Sequence, residues 1–495
     1  MDLTTTPDRD AFFALAQQHP LVPVSVEILG DLETPVGVYR KLGAPPRSFL
    51  LESVEHGERW GRFSFIGLEP FGLLTGRAGK ISIEGALPAS LGEASDPLAA
   101  LEEAVAAFTV PELPGMPPLH SGAVGYIGYD CIRYIERLPQ TTDDDLGLPE
   151  LWMSFTGVVI AFDHLRQRMR VIANAVIGDD PAGSYDRALE AIDRTVAAIA
   201  QPVAAARLRP PVVAPSPAAG DVESNRTPAD FIAAVSRAKE AIADGEVFQV
   251  VPSQRFRLPT DADPVDVYRV LRLINPSPYM FFLQTDDASI VGSSPEPLIR
   301  VRGRQATIRP IAGTRRRGAN DEEDDALAHE LLGDEKERAE HVMLVDLARN
   351  DLGRVCEPGT VRVGDLMSVE RYSHVMHIAS SVTGTLAEGV GPLEAFRAAF
   401  PAGTVTGAPK IRAMELIDAL EPTRRGPYAG AVGYIDFSGN LDTCIALRTG
   451  YMRDGAAYLQ AGAGVVADSD PASEEAETRQ KAGAFLAAVR GAQQL

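Results

Sequence analysis

The hexapeptide Gly122-Ala123-Val124-Gly125-Tyr126-Ile127 recurs as Gly430-Ala431-Val432-Gly433-Tyr434-Ile435, once in each half of the chain. Small and β-branched residues in alternation suit a strand, and glycine within a strand lets another backbone come close. The likeness ends with the six residues, so local packing convergence accounts for it better than duplication of a larger unit. Each half of the chain must therefore supply a strand to a crowded sheet. Phe63-Ser64-Phe65-Ile66-Gly67 and Trp152 to Asp163 also read as strands, and Ser184 to Ala200 as an amphipathic helix. Thr227-Pro228-Ala229-Asp230 opens a helix running to about Ala243, followed by the strand-like Val247-Phe248-Gln249-Val250-Val251. Strands and helices intermix in both halves, which predicts a mixed α/β (α+β) architecture.

A chain of 495 residues is too long for one ordinary core, so two or more domains are expected, with interleaving possible. Between Ala200 and Ser224, Pro202, Pro210, Pro211, Pro215 and Pro217 are mixed with Ala, Val and Gly. That composition reads as a connector, taken as residues 206–225, between an N-terminal part, 1–205, and a C-terminal part, 226–495.

A hydrophobic fraction of 45% with 23% charged residues belongs to a folded, soluble chain. The formal charge of −21 argues against a nucleic-acid surface, whose phosphates would be repelled except at a local basic patch. The acidic runs Asp143-Asp144-Asp145 and Asp321 to Asp325 read as solvated loops. Cys131, Cys356 and Cys444 are too few and too scattered for a disulfide framework or a zinc ribbon. No basic-then-apolar leader and no run of membrane-spanning length occurs, so a cytoplasmic location is expected.

Glu337-x-x-Glu340 and Glu474-x-x-Glu477 each place two carboxylates on one helix face. Magnesium prefers oxygen ligands and often takes only one or two protein carboxylates, so the motifs suit two halves of a Mg²⁺ site. Capping is the competing account: Asp334 can be an N-cap with Glu337 at N3, and Asp470 can cap a helix beginning at Pro471. It explains Glu337 and Glu474 better than Glu340 and Glu477, which sit further into their helices.

Four arginines cluster in Arg309-Pro310-Ile311-Ala312-Gly313-Thr314-Arg315-Arg316-Arg317. They suit a carboxylate ligand, or pairing with Asp321 to Asp325. Phe400 to Lys410 is a Gly/Thr turn that fails the nucleotide P-loop spacing, although an anion contact at the following helix remains open. Ala461-Gly462-Ala463-Gly464 lets a backbone approach a ligand. Arg448 closes the apolar run Cys444-Ile445-Ala446-Leu447 and needs either a protein acid or a substrate carboxylate.

The chain resembles the chorismate-utilising enzymes and, among them, the large aminating subunit of anthranilate synthase. The resemblance rests on Gln249-Val250-Val251-Pro252-Ser253-Gln254, Gly292-Ser293-Ser294-Pro295-Glu296-Pro297, Pro310-Ile311-Ala312-Gly313-Thr314, Glu340 to Leu347, Arg349-Asn350-Asp351-Leu352-Gly353 and Gly407-Ala408-Pro409-Lys410. It spans nearly the whole chain and is strongest from Pro228 onward. It implies β-sheets packed as a sandwich with helices outside, and Mg²⁺-dependent conversion of chorismate and ammonia to anthranilate and pyruvate. This is the first committed step of tryptophan biosynthesis.

By the same resemblance, Glu296 is the general acid and His377, rather than His374, the active-site histidine. Glu340 and Glu477 are the metal ligands, with Glu337 and Glu474 behind them. Arg448 and Tyr428 hold the enolpyruvyl carboxylate with help from backbone near Gly462 and Gly464, while Gln249, Gly313, Thr314 and Thr404 complete substrate binding. Ser53, Pro276, Tyr279 and Met280 match a tryptophan feedback pocket. No cysteine lies in a Gly-x-Cys-x-Gly elbow, so ammonia would come from a separate glutamine amidotransferase subunit in a hetero-oligomer.

Two positions bear on sister activities. Isochorismate and salicylate synthases carry lysine where this chain has Gln249, which favours ammonia over water as nucleophile. Many aminodeoxychorismate synthases carry lysine at Ala312, which favours amination at C2 over C4. Aminodeoxychorismate synthase component I is the alternative reading, and a non-catalytic tryptophan-binding regulatory subunit a more distant one.

Overall fold

A computed structural model describes residues 4–53, 61–203, 221–372 and 375–495. Most of the proline-rich connector, and His374, lie outside the described residues. The connector's final residues, Glu223–Ser224, form a short strand against Ser253–Pro259.

Among the described residues, two eleven-stranded sheets dominate, and every strand pairing in them is antiparallel. Both sheets draw strands from both parts of the chain. Phe49–Glu52 pairs with Tyr279–Gln284 in one sheet, and Gly122–Ile127 pairs with Ala431–Asp436 in the other.

The recurring hexapeptide explains itself here, because its two copies are neighbouring strands with Gly125 opposite Gly433. Their alternation sorts side chains between two cores. Val124, Tyr126, Val432 and Tyr434 join Phe49, Phe65, Phe281 and Ile290 between the sheets, while Ala123, Ile127, Ala431 and Ile435 face an outer layer. A Cβ at Gly125 would lie 1.9 Å from the Trp152 carbonyl oxygen, so only glycine admits the next strand at this spacing.

Helices close both outer faces. Arg9–Ala16, Pro181–Ile199, Pro264–Ile274 and Pro471–Ala492 pack on one sheet, and Pro97–Ala106, Glu335–Gly353 and Pro392–Ala399 on the other. The result is a sandwich with helices outside, and burying apolar residues on both sides of each sheet supplies its main driving force.

Local rules account for several helix starts. Thr227 and Asp230 form a reciprocal capping box at Pro228–Ala243. Asp334 accepts from the Lys336 and Glu337 amides over 3.0 and 3.2 Å, and Asp470 from the Ser473 amide over 2.9 Å.

Four expectations need correction. Trp152 to Asp163 is two strands, Leu151–Phe155 and Val158–Asp163, because the chain passes from one sheet to the other between them. The strand expected at Val247 to Val251 shrinks to Gln249–Val250, paired with Gly407–Ala408 and bridged by Val250 to Val465, and Phe248 is exposed. Asp321 to Asp325 is the first turn of the helix Asp321–Gly333, where its charge complements the positive helix end. The Leu441–Ile445 strand ends before Arg448, which adopts a left-handed φ of 47°.

Candidate active site

Glu296 lies between the strands Ser289–Ser294 and Pro297–Arg302. Its backbone carbonyl accepts from the Ile445 amide over 3.0 Å, and Thr404 Oγ1 donates to its Oε1 over 3.1 Å. Burial pushes the carboxyl up to about 8, and the Thr404 hydrogen bond only partly offsets this. A carboxylic acid protonated near neutral pH can donate a proton to a leaving group. Sequence marked Glu296 and Thr404 separately; the fold joins them.

His377 sits on the strand Val375–Thr385, with Nδ1 2.8 Å from the Gly313 carbonyl and 3.1 Å from Thr314 Oγ1. A carbonyl accepts only, so Nδ1 carries the proton and Nε2 is left as an acceptor. Burial lowers the imidazole pKa, and the positive charge of Arg448 lowers it further. The ring is therefore neutral and able to take a proton.

Arg448 is the most telling cation of the group. Burial lowers its pKa, and among the described residues no carboxylate pairs with it. A guanidinium partly withdrawn from water, with no carboxylate partner among the described residues, suits an anionic ligand. Tyr428 is buried, its hydroxyl pushed up to about 12 mainly by burial.

Gly462 and Gly464 make room for their neighbours. A Cβ at Gly462 would meet the Tyr428 hydroxyl at 2.7 Å, and one at Gly464 would meet Gln249 Nε2 at 2.9 Å. Gln249 Nε2 reaches Glu340 Oε1 at 3.5 Å, while its Oε1 is buried with no hydrogen-bond partner among the described residues.

The acidic motifs converge on one lysine that sequence reading passed over. Lys481 Nζ pairs with Glu477 over 2.6 Å and donates to the Gly462 carbonyl over 3.0 Å, and its charge acts on Glu340 as well. The i,i+4 spacing of Glu477 and Lys481 was the available signal. Burial first, then the neighbouring Glu337, raises the Glu340 pKa; burial first, then Glu477, raises that of Glu474. Glu337 itself pairs with Arg315 over 3.2 Å. Two carboxylates from different helices in such a place suit an added cation. No group of three metal-ligating side chains gathers among the described residues.

The other cations of the sequence are spent within the protein. Arg315 pairs with Glu330, Asp334 and Glu337, Arg316 with Glu323, and Arg317 with Asp324. Lys410 pairs with Asp351 over 3.1 Å, which removes it as an anion contact.

A separate cavity of about 690 Å³ opens between the sheets, lined by Ser53, Tyr279, Met280, Glu52, Arg300 and Tyr434 among others. Among the described residues Ser53 Oγ is buried and meets no hydrogen-bond partner. Tyr279 donates to Asp442 over 3.0 Å. Pro278, and not Pro276, is among the residues lining this cavity.

A buried carboxylic acid beside Thr404, and a neutral histidine in the field of an arginine that pairs with no carboxylate among the described residues, suit an enzyme acting on a small anion. Residues 48–487 match the family model for chorismate binding enzyme, and the chain belongs to that family; it is a chorismate-converting enzyme. It is 51% identical to anthranilate synthase component 1 of Mycobacterium bovis over 512 residues, covering 100% of this chain and 98% of that protein. Component 1 of Pseudomonas aeruginosa is 45% identical over 500 residues, covering 98% and 99%. The crystal structure of anthranilate synthase component I from Streptococcus pneumoniae TIGR4 superposes with a TM-score of 0.78 at 35% identity, over 93% of this chain and 99% of that one. The isochorismate synthase MenF of Escherichia coli shares the fold at 17% identity, with a TM-score of 0.68 over 97% and 98% of the chains.

Proposed function

We propose that this chain joins chorismate and ammonia to give anthranilate and pyruvate, committing chorismate to tryptophan biosynthesis. Arg448, which acts on His377 and pairs with no carboxylate among the described residues, carries the reading, since chorismate brings two carboxylates. Arg448 and Tyr428 would hold the enolpyruvyl carboxylate, with Gly313 and Thr314 placing His377. Gln249 Oε1, buried and without a partner among the described residues, offers an acceptor to an N–H of the incoming ammonia.

Glu296 would give its proton to the departing C4 hydroxyl, which leaves as water while nitrogen bonds to C2. His377 Nε2 would take a proton during loss of the enolpyruvyl group, which restores the aromatic ring. Glu340 and Glu477 would hold Mg²⁺, and the ion when bound supplies positive charge to the ring carboxylate. A two-carboxylate site leaves coordination positions for substrate and water, as Mg²⁺ prefers.

The cavity at Ser53, Tyr279 and Met280 is assigned to feedback inhibition by tryptophan; its volume, and a Ser53 hydroxyl without a partner among the described residues, support it. All three cysteines are buried, which suits a chain without a glutaminase nucleophile of its own. Ammonia would come from a separate glutamine amidotransferase subunit in a cytoplasmic hetero-oligomer. No helix among the described residues is long and apolar enough to cross a membrane.

Purified chain given chorismate, Mg²⁺ and ammonium at alkaline pH should produce the fluorescence of anthranilate and lose it with chelator. Folded protein giving no product, or activity indifferent to Mg²⁺ removal, would overturn the corresponding part of the proposal.

A further inference from the structure

Arg425 is a charged side chain sealed in the interior, its side chain 1% exposed and its partner Glu421 2% exposed. The ion pair closes over 2.6 Å, with Nε also 3.0 Å from the carboxylate. Two further donors go to main chain: Nη1 to the Val405 carbonyl over 2.8 Å, and Nη2 to the Val251 carbonyl over 2.6 Å. The guanidinium lies 4.7 Å from the Tyr129 ring centroid and 5.5 Å from that of Tyr428. Glu421 also accepts from the Ser253 amide and hydroxyl, over 2.8 and 2.7 Å.

These contacts tie together segments distant in sequence, each of which carries part of the site. Val405 follows Thr404, the hydrogen-bond donor to Glu296. Val251 follows Gln249 by two residues, and its amide donates to the Thr406 carbonyl over 2.9 Å. A buried ion pair adds little net stability for its desolvation cost, which makes the position of this one the more telling. The planar fork of arginine meets a carboxylate and two carbonyls at once, and the point charge of lysine does not reproduce that.

We infer that Arg425, anchored by Glu421, is a positioning residue that fixes the Thr404 turn against the Gln249 strand and so holds Thr404 on Glu296. The inference rests on the reading of Glu296 as general acid. Arg309 and Asp351, the charged side chains that line the same small cavity as Glu296, are untouched by the variants below.

The test is kcat against pH at fixed free ammonia for wild type, Thr404→Val, Arg425→Lys and the double variant. Wild type should lose activity above about pH 8 as Glu296 ionises, and Thr404→Val should move that fall upward because the hydrogen bond favours the ionised form. Arg425→Lys should move it upward equally, with kcat down by roughly 100-fold, a loss typical of a small misplacement at a reacting centre. The double variant should move it no further. An unmoved fall in Arg425→Lys, or a shift that adds to that of Thr404→Val, overturns the inference. Should Arg425→Lys not fold, Glu421→Gln keeps an acceptor for Ser253 while loosening Arg425, and is read in the same way. A wild type with no fall near pH 8 would instead sink the general-acid reading itself, so the two failures are distinct.

Discussion

Thr404 Oγ1 and Glu296 Oε1 lie 3.1 Å apart, joining a turn that follows the helix Pro392–Ala399 to the carboxyl between two strands of different sheets. The acid is thus held by a single neutral donor among the described side chains, and burial keeps its proton in place near neutrality.

Glu296→Gln should lower kcat by about 100- to 10,000-fold, the usual worth of a general acid. Stability should change in the opposite direction. Folded Glu296 keeps its proton up to about 8 while the unfolded chain ionises near 4.5, so this group costs stability increasingly as pH rises through that window. Glutamine does not ionise. Thermal melting should therefore show the variant above wild type at pH 8, with the difference vanishing at pH 4.

Arg448→Gln should reduce kcat/KM for chorismate by about 100-fold or more, as expected when a desolvated charge pair with substrate is lost. Since no carboxylate among the described residues pairs with Arg448, the variant should unfold at a urea concentration no lower than wild type does. A marked loss of stability with unchanged KM would return Arg448 to a structural role.

The hexapeptide echo yields a prediction of the opposite kind. Gly125→Ala places a Cβ 1.9 Å from the Trp152 carbonyl oxygen, where the fault lies with backbone rather than a movable side chain. Overpacking of this sort costs about 1–3 kcal/mol, read as a lower urea midpoint. Gly178→Ala, where a Cβ meets nothing within 4 Å, is the control.

Much of this molecule was legible from local rules. The caps at Thr227, Asp334 and Asp470 follow from side chains within a few residues of the amides they satisfy, and all three are seen. What escaped depends on distant partners. The two hexapeptides read as strands, but nothing in either names the other as its neighbour. Arg425 and Glu421 have the residue types of a surface pair and are instead buried, because their partners are carbonyls at Val251 and Val405 that only the fold supplies. In Pro276-Ser277-Pro278 the turn motif alone does not say which proline lines a cavity.

Ser53→Ala removes a hydroxyl that lines the cavity between the sheets. If tryptophan binds there, calorimetry should show its affinity weakened by up to about tenfold, the worth of one hydrogen bond. The same weakening should appear in the tryptophan concentration that halves activity.

The central claim is that nitrogen from ammonia becomes bonded to C2 of the chorismate ring. Turnover of chorismate with ¹⁵N-ammonium, followed by NMR of the ring product, reads this directly. The account predicts ¹⁵N on the carbon next to the carboxylate-bearing carbon, with one pyruvate released per ring. Label at C4, or an unlabelled product carrying oxygen at C2, would contradict it.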